Sequence, residues 1–103
     1  MVATSALTAR MNTQINGLLA HVEDLPGLLE EWDSLPEHAQ VSESLGWSHL
    51  VADLLTELDE QYRAGEMPLE QQNHYRDLLC MLKDMLPIID QLHFWRPQVS
   101  LEP

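Results

Sequence analysis

Three pairs of side chains in this sequence place a histidine one helical turn from a carboxylate, a spacing at which both groups can bind one metal ion. The pairs are His49 with Asp53, His74 with Asp77, and Asp90 with His93. Bundles that hold two bridged metal ions, however, carry Glu-x-x-His on two of their helices, and this motif is absent from the sequence. We therefore predict no metal site and no cofactor, and we keep a small metal-binding or enzymatic helical bundle as the alternative function.

The cysteine and serine residues do not indicate nucleophilic catalysis. Cys80, the only cysteine, lies in the hydrophobic run of a predicted helix, where a thiol packs more often than it reacts. No serine stands in the Gly-x-Ser-x-Gly turn that exposes a catalytic hydroxyl. Paired carboxylates can act as acid and base, but without a cleft such residues form a solvated surface. The sequence therefore predicts a protein without catalytic residues and not an enzyme.

The charge of the chain is its most unusual property. Seventeen Asp and Glu stand against five Lys and Arg, which gives a formal net charge of -12 at pH 7. Such a surface repels nucleic-acid phosphates and anionic lipids, so we expect no direct binding to nucleic acid and none to a membrane. Between residues 23 and 60 there are eleven carboxylates and no Lys or Arg. This segment either keeps the protein in solution or binds a basic partner protein.

One group of acids favours the second explanation. Asp53, Glu57 and Glu60 are spaced by four and three along a predicted helix, where like charges destabilise the helix by about 0.2–0.5 kcal/mol per pair. A role in recognition would explain their presence. We predict a non-catalytic protein-interaction module that binds or inhibits a basic protein through an acidic face. The candidate partner-binding residues are Glu30, Glu31, Trp32, Asp33, Asp53, Glu57 and Glu60.

Apolar residues at intervals of three and four predict an all-α fold, a small bundle of four or five helices. Helices are predicted over residues 5–23, 25–33, 44–64 and 68–92, with a further helical turn after residue 34. The spine of the third helix is predicted to be Trp47, Val51, Leu54, Leu58 and Tyr62. The longest apolar series belongs to the last helix and consists of Tyr75, Leu78, Leu82, Met85, Ile89 and Leu92.

Local signals set the predicted ends of these helices. The sequence DLP at 24–26 is typical of a helix start, and SLPE at 34–37 matches a capping box, in which the serine oxygen accepts a backbone hydrogen bond. The residues HAQVSES at 38–44 lack periodicity and predict an irregular connection whose last serine caps the next helix. Gly65 is a helix stop, and Pro68 opens the last helix.

The last helix carries two further predictions. Pro87 lies on its polar side, so we expect a bend at this residue and not an end. The apolar stripe of the helix is wider than one neighbouring helix covers, which predicts a homodimer. Beyond the helix, Phe94 and Trp95 either close the end of the bundle or contact a partner.

The ends of the chain and its single cysteine bear on domain organisation and location. We predict one helical domain over residues 1–96 and a C-terminal tail over residues 97–103. The N-terminus lacks a basic start followed by an apolar run, and no stretch of about 18 apolar residues occurs. One cysteine excludes a disulfide within the chain and suits a reducing compartment. A cytoplasmic location is therefore expected.

Overall fold

The computed structural model describes the backbone of residues 2–102 and the side chains of residues 9–102. Within this part of the chain the fold is all-α and has no strand, which confirms the predicted class. The helices are α1 (Val2–Glu31), α2 (Glu37–His49), α3 (Leu55–Arg63) and α4 (Leu69–Gln91), with a 3-10 turn at Trp32–Ser34 and a π-helical turn at Leu50–Leu54. Because the π turn joins α2 and α3 into one rod, the described bundle has three long rods instead of four or five helices.

The predicted helix boundary at Pro26 is wrong, because α1 continues through this residue to Glu31. The buried side chains of α1 form an uninterrupted series at intervals of four and three: Met11, Ile15, Leu18, Val22 and Leu25. Pro26 is exposed, so its ring faces solvent, and its missing N–H removes only one backbone hydrogen bond. The half-buried Leu28 and Leu29 continue this series beyond the proline and pack against the same core. Burial along the whole face therefore outweighs the local proline signal, and the predicted helices 5–23 and 25–33 are a single helix.

The predicted capping box at residues 34–37 does not form. The Ser34 hydroxyl donates to the carbonyl oxygen of Glu31 at 2.7 Å, and no side chain caps the first turn of α2. Pro36 has the extended backbone of a residue that precedes a helix, with φ -60° and ψ 152°. The proline therefore sets the start of α2 at Glu37 without a serine cap.

Residues 38–44, predicted to be an irregular connection with Ser44 as a cap, are helical and belong to α2. Trp47 is the buried residue of this helix, so the apolar pattern that would predict a helix is weak here. A tertiary contact supports the first turns instead, because Gln40 Nε2 donates to the carbonyl oxygen of Trp32 at 2.7 Å. Contacts with the preceding turn thus stabilise a helix that local periodicity does not reveal.

The buried side chains of the rod keep ordinary helical spacing across the π turn. They are Trp47, Val51, Leu55 and Leu58, at intervals of four, four and three. Trp47, Val51 and Leu58 are buried as the sequence predicts, whereas Leu55 is buried in place of Leu54, which is half-buried.

The predicted end of the third helix and the predicted limits of the last helix are confirmed. Gly65 has φ +75°, the left-handed conformation in which glycine ends a helix, and it follows the last turn of α3. Pro68 immediately precedes α4. The helix then continues through Pro87, as predicted, and ends next to Leu92.

Part of the apolar stripe of α4 is covered within one chain. Its fully buried side chains are Tyr75, Leu78, Leu79, Leu82 and Ile89. Helix α1 packs closely along α4, and the C-terminal segment, residues 93–102, reaches the same core through Phe94, Val99 and Leu101. Part of the width of the stripe is thus accounted for within one chain, and Met81, Met85, Leu86 and Ile88 are half-buried against the same core. The homodimer stays a prediction, which sedimentation equilibrium at micromolar concentration measures.

Charged side chains hold the C-terminal segment against the bundle. Arg63 Nη2 donates to the carbonyl oxygens of Ser100 at 3.1 Å and Glu102 at 3.0 Å. Lys83 Nζ also lies 2.6 Å from Glu102 Oε1. Each contact is exposed and weak by itself, but together they fix the path of residues 97–102, the described part of the predicted tail.

A buried phenol connects α4 to the far end of the rod. The Tyr75 hydroxyl donates to Asp59 Oδ1 at 2.8 Å, and Arg63 Nε lies 3.4 Å from the same oxygen. The Tyr62 and Tyr75 rings lie 5.0 Å apart, and the guanidinium of Arg63 lies over the Tyr62 ring at 5.0 Å. Burial, together with the hydrogen bond to Asp59, raises the pKa of the Tyr75 phenol well above its usual value near 10.

We expect the Tyr75→Phe substitution to lower the free energy of unfolding at neutral pH by about 1 kcal/mol, because the hydrogen bond to Asp59 is lost. The raised pKa stabilises the fold fully below about pH 10, and this contribution disappears as the pH rises towards the folded-state pKa. Urea denaturation at pH 7, 9 and 11 measures both effects. The stability of the native protein should fall more steeply above about pH 10 than that of the variant, and parallel alkaline losses would contradict this account.

Candidate functional site

A groove lies between α1 and α2, on the half of the bundle where the 3-10 turn joins the two helices. It has a volume of about 580 Å³ and is open to solvent. The α1 wall consists of His21, Asp24, Leu25, Gly27, Leu28 and Glu31. The facing wall and the floor consist of Glu43, Gly46, Trp47, Leu50 and Phe94. Helices α1 and α2 approach each other only weakly, whereas α1 and α4 pack closely, and the groove occupies the resulting space.

The floor of the groove is aromatic and fixed in position. The Phe94 ring stacks on Trp47 with centroids 6.0 Å apart and meets Trp32 edge to face at 5.4 Å. Trp47 Nε1 donates to the carbonyl oxygen of Trp95 at 2.8 Å, so the polar group of this indole is satisfied. Because Trp47 and Phe94 are only 4% and 6% exposed, they form a rigid base, and the half-buried Leu28 and Leu50 are the more accessible apolar residues of the groove. A preformed surface of this kind lowers the ordering cost of binding an apolar group.

The rim of the groove carries three carboxylates and no Lys or Arg. These residues are Asp24, Glu31 and Glu43, and all three are exposed. Among the side chains of residues 9–102, no basic group forms an ion pair with any of them. The groove is thus an apolar surface bordered by negative charge that the described chain does not neutralise.

The five basic side chains of the chain are all engaged elsewhere. Four form ion pairs: Arg10 with Glu57 at 4.0 Å, Arg63 with Asp59 at 3.4 Å, Lys83 with Glu102 at 2.6 Å, and Arg96 with Asp90 at 2.9 Å. The fifth, Arg76, donates through Nε to the Tyr62 hydroxyl oxygen at 2.9 Å. None of the five lines the groove. This distribution leaves the groove and the adjoining turn as a region of unbalanced negative charge.

Four of the seven predicted partner-binding residues lie together beside the groove. They are Glu30, Glu31, Trp32 and Asp33, at the end of α1 and in the 3-10 turn, and we call them the end patch. The three carboxylates are exposed, and Trp32 is half-buried against Phe94. Glu31 also borders the groove, so the end patch and the groove are continuous.

The other three predicted residues, Asp53, Glu57 and Glu60, lie on the π turn and α3, and we call them the side patch. Two of them have partners, because His49 Nδ1 lies 3.3 Å from Asp53 Oδ2 and Arg10 Nη2 lies 4.0 Å from Glu57 Oε1. The contact between Arg10 and Glu57 places Glu57 beside Arg10, which lies twenty residues before Glu30 on α1. At 1.5 Å per residue this separation is about 30 Å. The seven residues therefore form two patches and not one continuous face.

The sequence pattern does not reveal the groove. For two of the groove residues, the sequence predicts that Asp24 belongs to a helix start and that Gly46 follows an irregular segment. One signal is available in retrospect: Gly27 and Gly46 both lie inside helices, where glycine is less stable than alanine by about 0.5–1 kcal/mol. If a Cβ is added at either glycine, no described atom from elsewhere in the fold lies within 4 Å of it, so the groove walls are low at both positions.

Among the described residues there is neither a metal-binding cluster nor a membrane-spanning helix. The His, Cys, Asp and Glu side chains of residues 9–102 form no group of three that could hold a metal ion. Of the three predicted histidine–carboxylate pairs, His49 and Asp53 are in contact at 3.3 Å, whereas Asp90 binds Arg96. No helix within residues 2–102 has both the length and the apolar content needed to span a bilayer.

Comparison of the chain with protein-family models, with curated proteins and with solved structures found no match.

We expect the Phe94→Ala substitution to lower the free energy of unfolding by about 3 kcal/mol, because the buried ring contacts both Trp32 and Trp47. The matched control is Trp95→Ala, which removes a ring that is 53% exposed and keeps the carbonyl oxygen that Trp47 binds. That control should change the stability by only about 0.5 kcal/mol. Urea denaturation followed by circular dichroism measures both values, and equal losses in the two variants would show that Phe94 does not close the core.

Proposed function

We propose that this protein is a non-catalytic interaction module that binds a basic partner protein through the end patch and the rim of the groove. The supporting observation is the distribution of charge. This surface contains the exposed carboxylates Asp24, Glu30, Glu31, Asp33 and Glu43. No basic side chain in residues 9–102 forms an ion pair with any of the five. A partner that carries Lys and Arg would supply the missing positive charge.

Charge complementarity of this kind acts mainly on the rate of association and on the choice of partner. Opposite charges attract over about 8–10 Å at moderate salt, so the steering weakens as the salt concentration rises. Exposed ion pairs contribute only about 0–1 kcal/mol each to affinity. The half-buried Trp32 and the aromatic floor of the groove provide the apolar contact that a stable complex also needs.

The side patch contributes less in this proposal. Glu57 is already close to Arg10, and Asp53 to His49, so part of its charge is balanced within the chain. Glu57 lies about 30 Å along α1 from Glu30, beyond the range over which charges at moderate salt interact, whereas Asp53 follows the groove residue Leu50 by three positions. The side patch is therefore a matched control for the end patch within the same molecule.

We also propose that the protein acts in the cytoplasm. Cys80 is exposed and has no disulfide partner in the chain, which contains a single cysteine. Oxidising compartments convert exposed thiols to disulfides, whereas reducing compartments preserve them. The free, exposed thiol supports a reducing environment.

Neutralising the end patch should weaken capture of basic proteins more than neutralising the side patch does. The end-patch variant carries Glu30→Gln, Glu31→Gln and Asp33→Asn. The side-patch variant carries Asp53→Asn, Glu57→Gln and Glu60→Gln. Both variants remove three negative charges, and the side-patch variant also removes the exposed contacts of Asp53 with His49 and of Glu57 with Arg10. Each is used as bait in a lysate of the source cell at low and moderate salt, and the captured proteins are quantified by mass spectrometry.

The end-patch variant should capture about tenfold less basic protein than the native bait at low salt, with a flatter salt dependence. Circular dichroism and thermal unfolding confirm that all three baits are folded, and the variants should be as stable as the native protein or more so, because repulsion is relieved. The same set and amount of captured proteins from all three baits would contradict the proposal and leave the charge as a device for solubility.

A further inference from the structure

We infer that the groove binds the apolar face of one amphipathic helix of the basic partner, with the Lys and Arg residues of that helix placed over the acidic rim. This inference rests on the proposed function and specifies how the partner is recognised. Basic amphipathic helices combine an apolar stripe with flanking positive charge, and this groove combines an apolar floor with flanking negative charge. The partner segment is therefore an amphipathic helix that carries Lys and Arg beside its apolar stripe.

The shape of the groove suits a helix. Two neighbouring helices that do not pack closely leave a channel into which the ridge of a third helix fits. The α1 residues that line the groove extend from His21 to Glu31, which is about 15 Å along the helix axis, or about three helical turns. A segment of this length presents two or three apolar side chains at intervals of three and four on one face.

The charges of the groove lie on both sides of its apolar floor. Asp24 and Glu31 belong to α1, and Glu43 belongs to α2. Between them lie the half-buried Leu28 and Leu50, above a base formed by the buried Trp47 and Phe94. This base needs no further polar partner, because the Trp47 indole N–H is already bound. A helix with an apolar stripe flanked by Lys and Arg on both sides therefore matches both walls, whereas an acidic or uniformly polar helix does not.

Two glycines keep the walls low enough for a helix to approach. Gly27 on α1 and Gly46 on α2 both line the groove, and an added Cβ at either position would extend into open space. Larger side chains at these positions would therefore extend from the edges of the groove without a clash with the described residues, and we expect them to obstruct it. Gly17 is also inside α1, exposed and uncrowded, but it does not line the groove. It is the matched control.

The test uses two labelled peptides of about 18 residues, a length at which a designed sequence forms a helix. Both contain the same numbers of Leu, Lys and Arg. The first has all its leucines on one helical face, and the second has them distributed around the helix. Fluorescence anisotropy measures the dissociation constant of each peptide for the native protein and for the Gly46→Leu, Gly27→Leu and Gly17→Leu variants, after circular dichroism has confirmed that each variant is folded.

The native protein should bind the first peptide about tenfold more tightly than the second. Gly46→Leu and Gly27→Leu should each remove this preference, and Gly17→Leu should retain it. The use of two variants on opposite walls protects the test if one of them does not fold. Equal binding of both peptides, or a preference that survives filling of the groove from either wall, would overturn the inference while leaving a charge-based function intact. Binding of neither peptide at low salt would contradict the proposed function as well.

Discussion

The rod formed by α2, the π turn and α3 is held against the α1–α4 pair by large side chains more than by close backbone packing. At one end Phe94 lies between Trp32 and Trp47, and at the other Tyr75 reaches Asp59 across the core. Such bulky contacts keep the rod at a distance from α1. The groove follows directly from this arrangement. The rings of Trp47 and Phe94 fill the gap between α1 and α2 on the core side, and the gap stays open on the solvent side.

The same architecture separates the charges. The basic residues of the chain lie near the start of α1, at the end of α3, on α4 and in the C-terminal segment, where they bind carboxylates, a hydroxyl or backbone carbonyl oxygens. The chain from residue 11 to residue 62 contains no Lys or Arg, and it forms most of α1 and nearly the whole rod. The negative end of the molecule is thus a consequence of where five basic residues lie, and it coincides with the end that carries the groove.

Sequence-based prediction succeeds where the local pattern agrees with the burial pattern of the fold. The α4 series and the Gly65 stop are predicted because a wide apolar stripe and a glycine after the last turn each leave a local pattern. The predicted boundary at Pro26 is wrong because the local proline signal opposes an apolar series that Leu28 and Leu29 continue beyond it. The π turn leaves no mark on the apolar spacing of the rod, and the groove depends on how the rod meets α1 and α4. The acids of the end patch were identified from charge alone, but their separation from the side patch required the fold.

If the gap between α1 and α2 is a binding surface, as we propose, backbone amide chemical shifts will report it without any substitution. Gly27 and Gly46 report from the two walls of the groove, and Gly17 reports from the same α1 helix outside it. The measurement is a ¹⁵N–¹H titration of the native protein with a basic amphipathic helical peptide. The account predicts saturable shifts of the Gly27 and Gly46 amides and of the Trp47 indole N–H, with the Gly17 amide unchanged. Unchanged groove signals in the presence of bound peptide would contradict it.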